Sequence, residues 1–149
     1  MRASLAFVLL AAVAAASCAP KVDLKTGLQL VDVKTGWHDA GVVDGKNKIV
    51  PSVSFKLKNA SDKTLDILQA NVVFRRVSED SEWGAMFQRV TGSEGLAPGA
   101  TSTEQVVNSK LGYTGTETRQ QMLANKQFVD AKVQIFAKYS NTQWTLVGE

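Results

Sequence analysis

The sequence predicts an all-β protein, an antiparallel β-sandwich of about seven short strands with one short helix. The main observation is that apolar and polar side chains alternate with a period of two in residues 50–59 and in residues 129–139. Turn-forming residues separate these and several weaker apolar segments at short intervals. The chain after residue 17 is long enough for one domain to bury a core without disulfides.

The N-terminal segment, residues 1–17, predicts a secretory signal peptide. Arg2 is its only charge, an apolar run covers residues 5–16, and small side chains end it. A membrane-spanning helix needs about 20 apolar residues, so this run is too short to span. The alternative is an ordinary cleaved signal with Ala14 and Ala16 at the cleavage site, which would release a soluble protein.

Cys18 is the sole cysteine, so it cannot form a disulfide within the chain. The three residues before it, Ala15, Ala16 and Ser17, are all small. This segment resembles the lipobox of bacterial lipoproteins, which implies cleavage before Cys18 and acylation of its thiol. Two or three acyl chains would anchor the protein stably to a membrane. In that family the absence of aspartate after the cysteine, here Ala19, implies the periplasmic face of the outer membrane.

Residues 18–26 predict a lipidated N-terminus and tether, and residues 27–149 predict a single sandwich domain. Within the domain, the strands are predicted at residues 28–33, 50–59, 65–77, 83–91, 101–109, 129–139 and 143–147.

The two most regular strands differ in one respect. In the first, Val53, Phe55 and Leu57 alternate with polar residues, which gives one apolar and one solvated face. In the second strand, residues 129–139, Phe136 is an apolar residue on the otherwise polar face.

Turns and the helix are predicted from local composition. The segment "NASDKT" from Asn59 supplies side chains that bond their own backbone, and Pro98 with Gly99 predicts a type II turn. Helix-forming residues in "TETRQQMLAN" predict at most two helical turns, with Met122 and Leu123 on the apolar side.

The order of these segments over residues 52–107 is similar to immunoglobulin-like domains of the FxLYD type in envelope lipoproteins. The matching positions are Asn59, Leu65, Leu96, Pro98 and Gly99. The resemblance implies an immunoglobulin-like sandwich that acts as a binding, adaptor or spacer module and brings no catalytic residues.

Charge and the scarcity of histidine limit the chemistry. The chain has 17 basic and 14 acidic residues, and because the lysines are scattered, no nucleic-acid partner is expected. His38 is the only histidine, and its neighbour Asp39 should point to the opposite face of a strand. We therefore expect no enzyme, no cofactor and no metal; an envelope hydrolase would require His38 buried beside a serine or carboxylate.

Four aromatic residues at strand ends or in loops are the candidate ligand-binding residues: Trp37, Trp83, Tyr113 and Trp144. If two or more share a face, they could stack on a sugar ring or a peptide side chain. The alternative, which we favour for Trp83 and Trp144, is that they fill the ends of the core. The expected function is a lipid-anchored envelope module that binds a protein partner at the membrane surface; the alternative is a glycan-binding domain.

Overall fold

The computed structural model describes residues 20–149, which form two antiparallel sheets packed face to face. The elements in chain order are α1 (Leu24–Gly27), β1 (Leu28–Val43), β2 (Lys46–Asn59), β3 (Gln69–Arg76), β4 (Gly84–Arg89), β5 (Gln105–Asn108), β6 (Tyr113–Gly115), α2 (Arg119–Leu123), β7 (Ala131–Lys138) and β8 (Thr145–Gly148). The predicted all-β sandwich is therefore confirmed.

The strand order is that of an immunoglobulin-like domain. The first sheet has the order β1-β2-β5, with β6 also paired to β2, and the second has the order β4-β3-β7-β8. These match the A-B-E and C′-C-F-G orders of immunoglobulin-like sandwiches. Strands β5 and β6 follow one another along the same edge of β2.

The core lies between the sheets, where the alternating positions of β2, β3 and β7 meet. Phe55 on β2 and Phe74 on β3 are almost completely buried. Burial of such a side chain contributes about 1.5–3 kcal/mol. The predicted period of two is confirmed in residues 50–59, because Val53, Phe55 and Leu57 are buried while Ser54 and Lys56 between them are half-exposed. In residues 129–139 it is seen at Ile135 and Ala137, which are buried while the residues beside them are half-exposed.

Residues 20–149 form eight strands and two short helices, against about seven strands and one helix predicted. One difference is β1, which extends to Val43 and joins β2 through Asp44 and Gly45. Both turn residues have positive φ, 52° and 74°, as a type I′ hairpin requires. The register of β1 against β2 shifts after Val31 and after Asp39, and such bulges let a long strand bend.

The folded domain begins before residue 27, the predicted boundary with the tether. The Val22 amide donates to the Tyr139 hydroxyl at 2.7 Å, and Leu24 is buried. Asp23 caps the turn α1 by accepting from the Lys25 amide. Residues 22–26 are therefore part of the domain. Among residues 20–149, no helix has the length and apolar character needed to cross a membrane.

The end of the sandwich that contains α1 and Asn59, here called the N-terminal end, is closed by directional hydrogen bonds. The fully buried Asn59 amide donates to the carbonyl oxygens of Lys63 at 2.7 Å and Leu96 at 2.8 Å. Its Oδ1 accepts from the amide and hydroxyl of Ser61. The predicted type II turn is also there: Gly99 has φ 76°, and the Ala100 amide donates to Ala97.

Candidate functional site

Three of the four predicted aromatic residues meet at the opposite end of the sandwich. The ring of Trp37 lies 6.0 Å from Trp83 and 5.6 Å from Tyr113, measured between centroids. Phe128 joins them at 4.9 Å from Trp37 and 5.3 Å from Tyr113. These spacings are those of interacting aromatic pairs. We call the four rings the aromatic cluster and this end of the molecule the aromatic end.

Each ring comes from a different part of the chain. Trp37 is on β1 opposite Pro51, Tyr113 begins β6 opposite Ile49, and Trp83 precedes β4. Phe128 lies between α2 and β7. The cluster therefore depends on both sheets and on the connection between α2 and β7.

The close approach of β6 to β2 depends on Gly112. A Cβ atom at this position would lie 1.9 Å from the carbonyl oxygen of Ile49. Only glycine lets the backbone come this near, and Tyr113 follows directly. The segment "GYTG", residues 112–115, therefore includes a short strand that places a ring.

Trp37 and Tyr113 of the cluster form hydrogen bonds within the domain. The Trp37 indole nitrogen donates to Asp130 Oδ1 at 2.8 Å, and the Tyr113 hydroxyl donates to the Val129 carbonyl at 2.9 Å. The Arg119 guanidinium, on α2, donates to the Trp37 carbonyl oxygen. All four rings are half-buried. These bonds fix the positions of Trp37 and Tyr113, while all four rings keep part of their surface open to solvent.

A cleft of about 200 Å³ adjoins the cluster. Tyr113 and Phe128 line it together with the buried Met122 of α2. The exposed side chains of Glu117, Asn125 and Gln127 supply a carboxylate and two amides. Aromatic walls with convergent polar groups suit one sugar ring or one peptide side chain.

The fourth predicted residue, Trp144, lies elsewhere. It is 40 % exposed just before β8, with Phe87 at 6.4 Å and the Lys138 ammonium 4.9 Å above its ring. The expectation that Trp144 fills the end of the core is therefore wrong. Trp83, by contrast, does pack at an end of the sandwich, among the rings of the cluster.

His38 is exposed on β1, one residue after the inward-facing Trp37. The burial beside a serine or carboxylate that would favour a hydrolase is not found. In the part of the chain from residue 20 onward, no three or more His, Cys, Asp and Glu side chains are grouped to hold a metal ion. The predicted lipid attachment residue, Cys18, lies outside the described residues.

Sequence reasoning missed Phe128 and Asp130. Both lie just before β7, a strand that the sequence predicts correctly. Residues next to the start of a strand lie at the end of a sandwich, where loops carry binding residues. The signal was therefore present in "QFVDAK", although its partner rings could not be identified without the strand order.

The fold and the four half-exposed rings define an immunoglobulin-like sandwich with a candidate binding surface at one end. Comparison of the chain with protein-family models, with curated proteins and with solved structures gives no match in any of the three. Function is therefore inferred from the geometry of the domain itself.

Proposed function

We propose that this protein is a lipid-anchored, non-enzymatic binding module of the bacterial cell envelope, acylated at Cys18 on the periplasmic face of the outer membrane. In this proposal, the aromatic end holds an envelope protein partner. The observation that carries the proposal is the position of the aromatic cluster, at the end of the sandwich opposite to the one where the chain leads back to Cys18.

Distance and rigidity support this arrangement. Ile49 at the aromatic end and Asn59 at the N-terminal end are ten residues apart on β2, about 33 Å in an extended strand. Rings already fixed by Asp130, Val129 and Arg119 lose little conformational entropy when a partner binds. A domain anchored at one end would thus carry a preformed aromatic surface at its other end, clear of the anchor.

Glycan recognition is the second candidate function, and the cleft beside Tyr113 favours it. Sugars bind by stacking an apolar ring face on an aromatic side chain while carboxylates and amides bond their hydroxyl groups. Tyr113 and Phe128 supply the rings, and Glu117, Asn125 and Gln127 supply the polar groups.

The anchor is tested by intact mass. The full-length chain is expressed in a bacterial host beside a Cys18→Ser variant, and we expect a mass increased by two or three acyl chains only in the parent. A parent mass that matches a simple cut near Ser17 with a free thiol would overturn the lipoprotein proposal.

The binding surface is tested by cross-linking in cells. A photoreactive residue at the exposed Thr114, which lines the cleft, should form an adduct with an envelope protein, and Trp83→Ala should abolish it. Val106→Ala is the control, because Val106 is exposed on the first sheet and lies outside the cluster. Quenching of tryptophan fluorescence by soluble cell-wall glycan fragments, without a protein adduct, would favour the second candidate.

A further inference from the structure

The outward face of the second sheet carries an apolar patch. Phe87, Asn71, Phe136 and Leu146 form one row across β4, β3, β7 and β8. Phe87 is 57 % exposed, and Leu146 and Trp144 are each 40 % exposed. The outward face of a sandwich is ordinarily polar. We call Phe87, Phe136, Trp144 and Leu146 the face patch.

Cations surround the face patch. In the strand register, Arg89 and Lys138 each lie opposite Gln69, and Arg75 lies opposite Lys132. All four cations therefore lie on the outward face of the second sheet. The two ion pairs formed among residues 20–149 involve none of them. Two carboxylates lie near this face: Glu149 accepts a hydrogen bond from Gln134, and Glu94 has its pKa lowered by the Gly92 amide and by the nearby Arg89. The face therefore carries a clear excess of positive charge.

We infer that this face lies against an anionic phospholipid surface. Tryptophan and phenylalanine beside lysine and arginine is the composition that places a protein at the headgroup level of a bilayer. A second copy of the chain is a poor occupant, because a self-complementary contact would bring eight cations together across the interface.

The position of the patch favours a membrane over an acidic protein. Trp144 follows the turn in which the Thr142 amide donates to Tyr139, and Tyr139 also binds the amide of Val22. That this region lies near a membrane rests on the proposed acylation of Cys18. The four residues from Cys18 to Val22 span at most about 14 Å, so an acylated Cys18 would hold this region beside the bilayer.

The test uses residues 20–149 without the acylated cysteine. The hydrophobic core described above lies within this segment. A cooperative thermal unfolding transition, measured before vesicles are added, establishes that the fragment is folded. Co-sedimentation is measured with vesicles of phosphatidylcholine alone and of phosphatidylcholine mixed with phosphatidylglycerol. We expect binding only to the anionic vesicles, and weaker binding as salt is raised.

Variants on the two sheets identify the face responsible. Phe87→Ser with Trp144→Ser should weaken partitioning on the order of tenfold or more, since both rings leave the interface. Lys138→Gln should weaken it about fivefold. Val106→Ser is the control, because Val106 is as exposed as Phe87 but lies on the other sheet. Thermal unfolding confirms that each variant is folded.

Three outcomes would overturn the inference: no binding to anionic vesicles, equal loss in Val106→Ser, or binding to soluble polyglutamate without binding to vesicles. The last would assign the face to an acidic polymer. Because the fragment lacks Cys18, its result is independent of acylation. An unacylated full-length chain would thus refute the anchor and leave vesicle binding to be decided by this experiment.

Discussion

The two ends of the sandwich are closed in different ways. At the N-terminal end, one amide, Asn59, makes four hydrogen bonds and is itself fully buried. At the aromatic end, rings close the gap between the sheets, and all of them remain half-exposed. Directional bonds to backbone give closure alone, whereas packed rings give closure and a surface on which another molecule can stack.

If this comparison is right, removal of the Asn59 amide should have the largest effect on stability. Asn59→Ala removes four hydrogen bonds made by a fully buried side chain, and the carbonyl oxygens of Lys63 and Leu96 each lose one of two donors, so we expect a loss of about 3 kcal/mol in the free energy of unfolding. Urea denaturation measures it. Asn71→Ala, at a half-exposed position on the second sheet, should stay within about 0.5 kcal/mol. Equal losses for the two variants would contradict the closure assigned to Asn59.

The aromatic end should respond less, because its rings are only half-buried. Trp37→Ala removes contacts with three rings and the bond to Asp130, and we expect a loss of about 2 kcal/mol in the same denaturation experiment. Trp144→Ala should change the free energy of unfolding by less than about 0.5 kcal/mol. If Trp144→Ala were the more damaging, the division between cluster and face patch would be wrong.

A substitution in the turn between β1 and β2, at the aromatic end, should have a smaller effect on stability. Gly45 has φ 74°, so Gly45→Ala introduces a Cβ into a left-handed conformation and should cost about 1 kcal/mol. Gly36→Ala is the matched control on the same strand pair, because Gly36 is exposed, has no positive φ and has no neighbouring atom within 4 Å of an added Cβ. The measurement is the difference in melting temperature, and an equal decrease in both variants would exclude the turn geometry as its cause.

The smallest expected effect is on the pKa of one carboxyl, in the bulge of β1 that follows Val31. Lys56 binds Asp32 at 2.8 Å and holds the pKa of that carboxyl below its ordinary value of 3.8. The stabilisation is therefore fully present above pH 3.8 and is lost as the pH falls through the lowered pKa. A carboxyl NMR titration should show the pKa of Asp32 rise toward 3.8 in Lys56→Gln. An unchanged pKa would mean that the contact does not form in solution.

Much of the fold could be predicted because it depends on local sequence. The alternation in β2 and β7, the turn at Pro98 and Gly99 and the short helix at Met122 are all properties of adjacent residues. The long β1 was missed although Asp44-Gly45 is a strong hairpin signal. The strand β6 has three residues, too few for any periodicity to identify it.

The candidate site could be predicted only in part, because it depends on which strands become neighbours. The sequence indicated Trp37, Trp83 and Tyr113 as residues at strand ends, but also Trp144, which the strand order places on a different surface. Phe136, the apolar residue on an otherwise polar face, was the sequence signal for the face patch. Its neighbours Phe87 and Leu146 come from strands far away along the chain.

The three tryptophans lie on two different surfaces, so their optical signals report on the two surfaces separately. Trp37 and Trp83 are close enough for their indole transitions to couple, so a molecule that stacks on them should perturb the near-ultraviolet circular dichroism. Trp144 lies apart from the other two tryptophans, on the outward face of the second sheet. Its fluorescence should instead shift to shorter wavelength when that face is buried against another surface. Occupancy of the two surfaces can thus be followed separately in one sample without any added label.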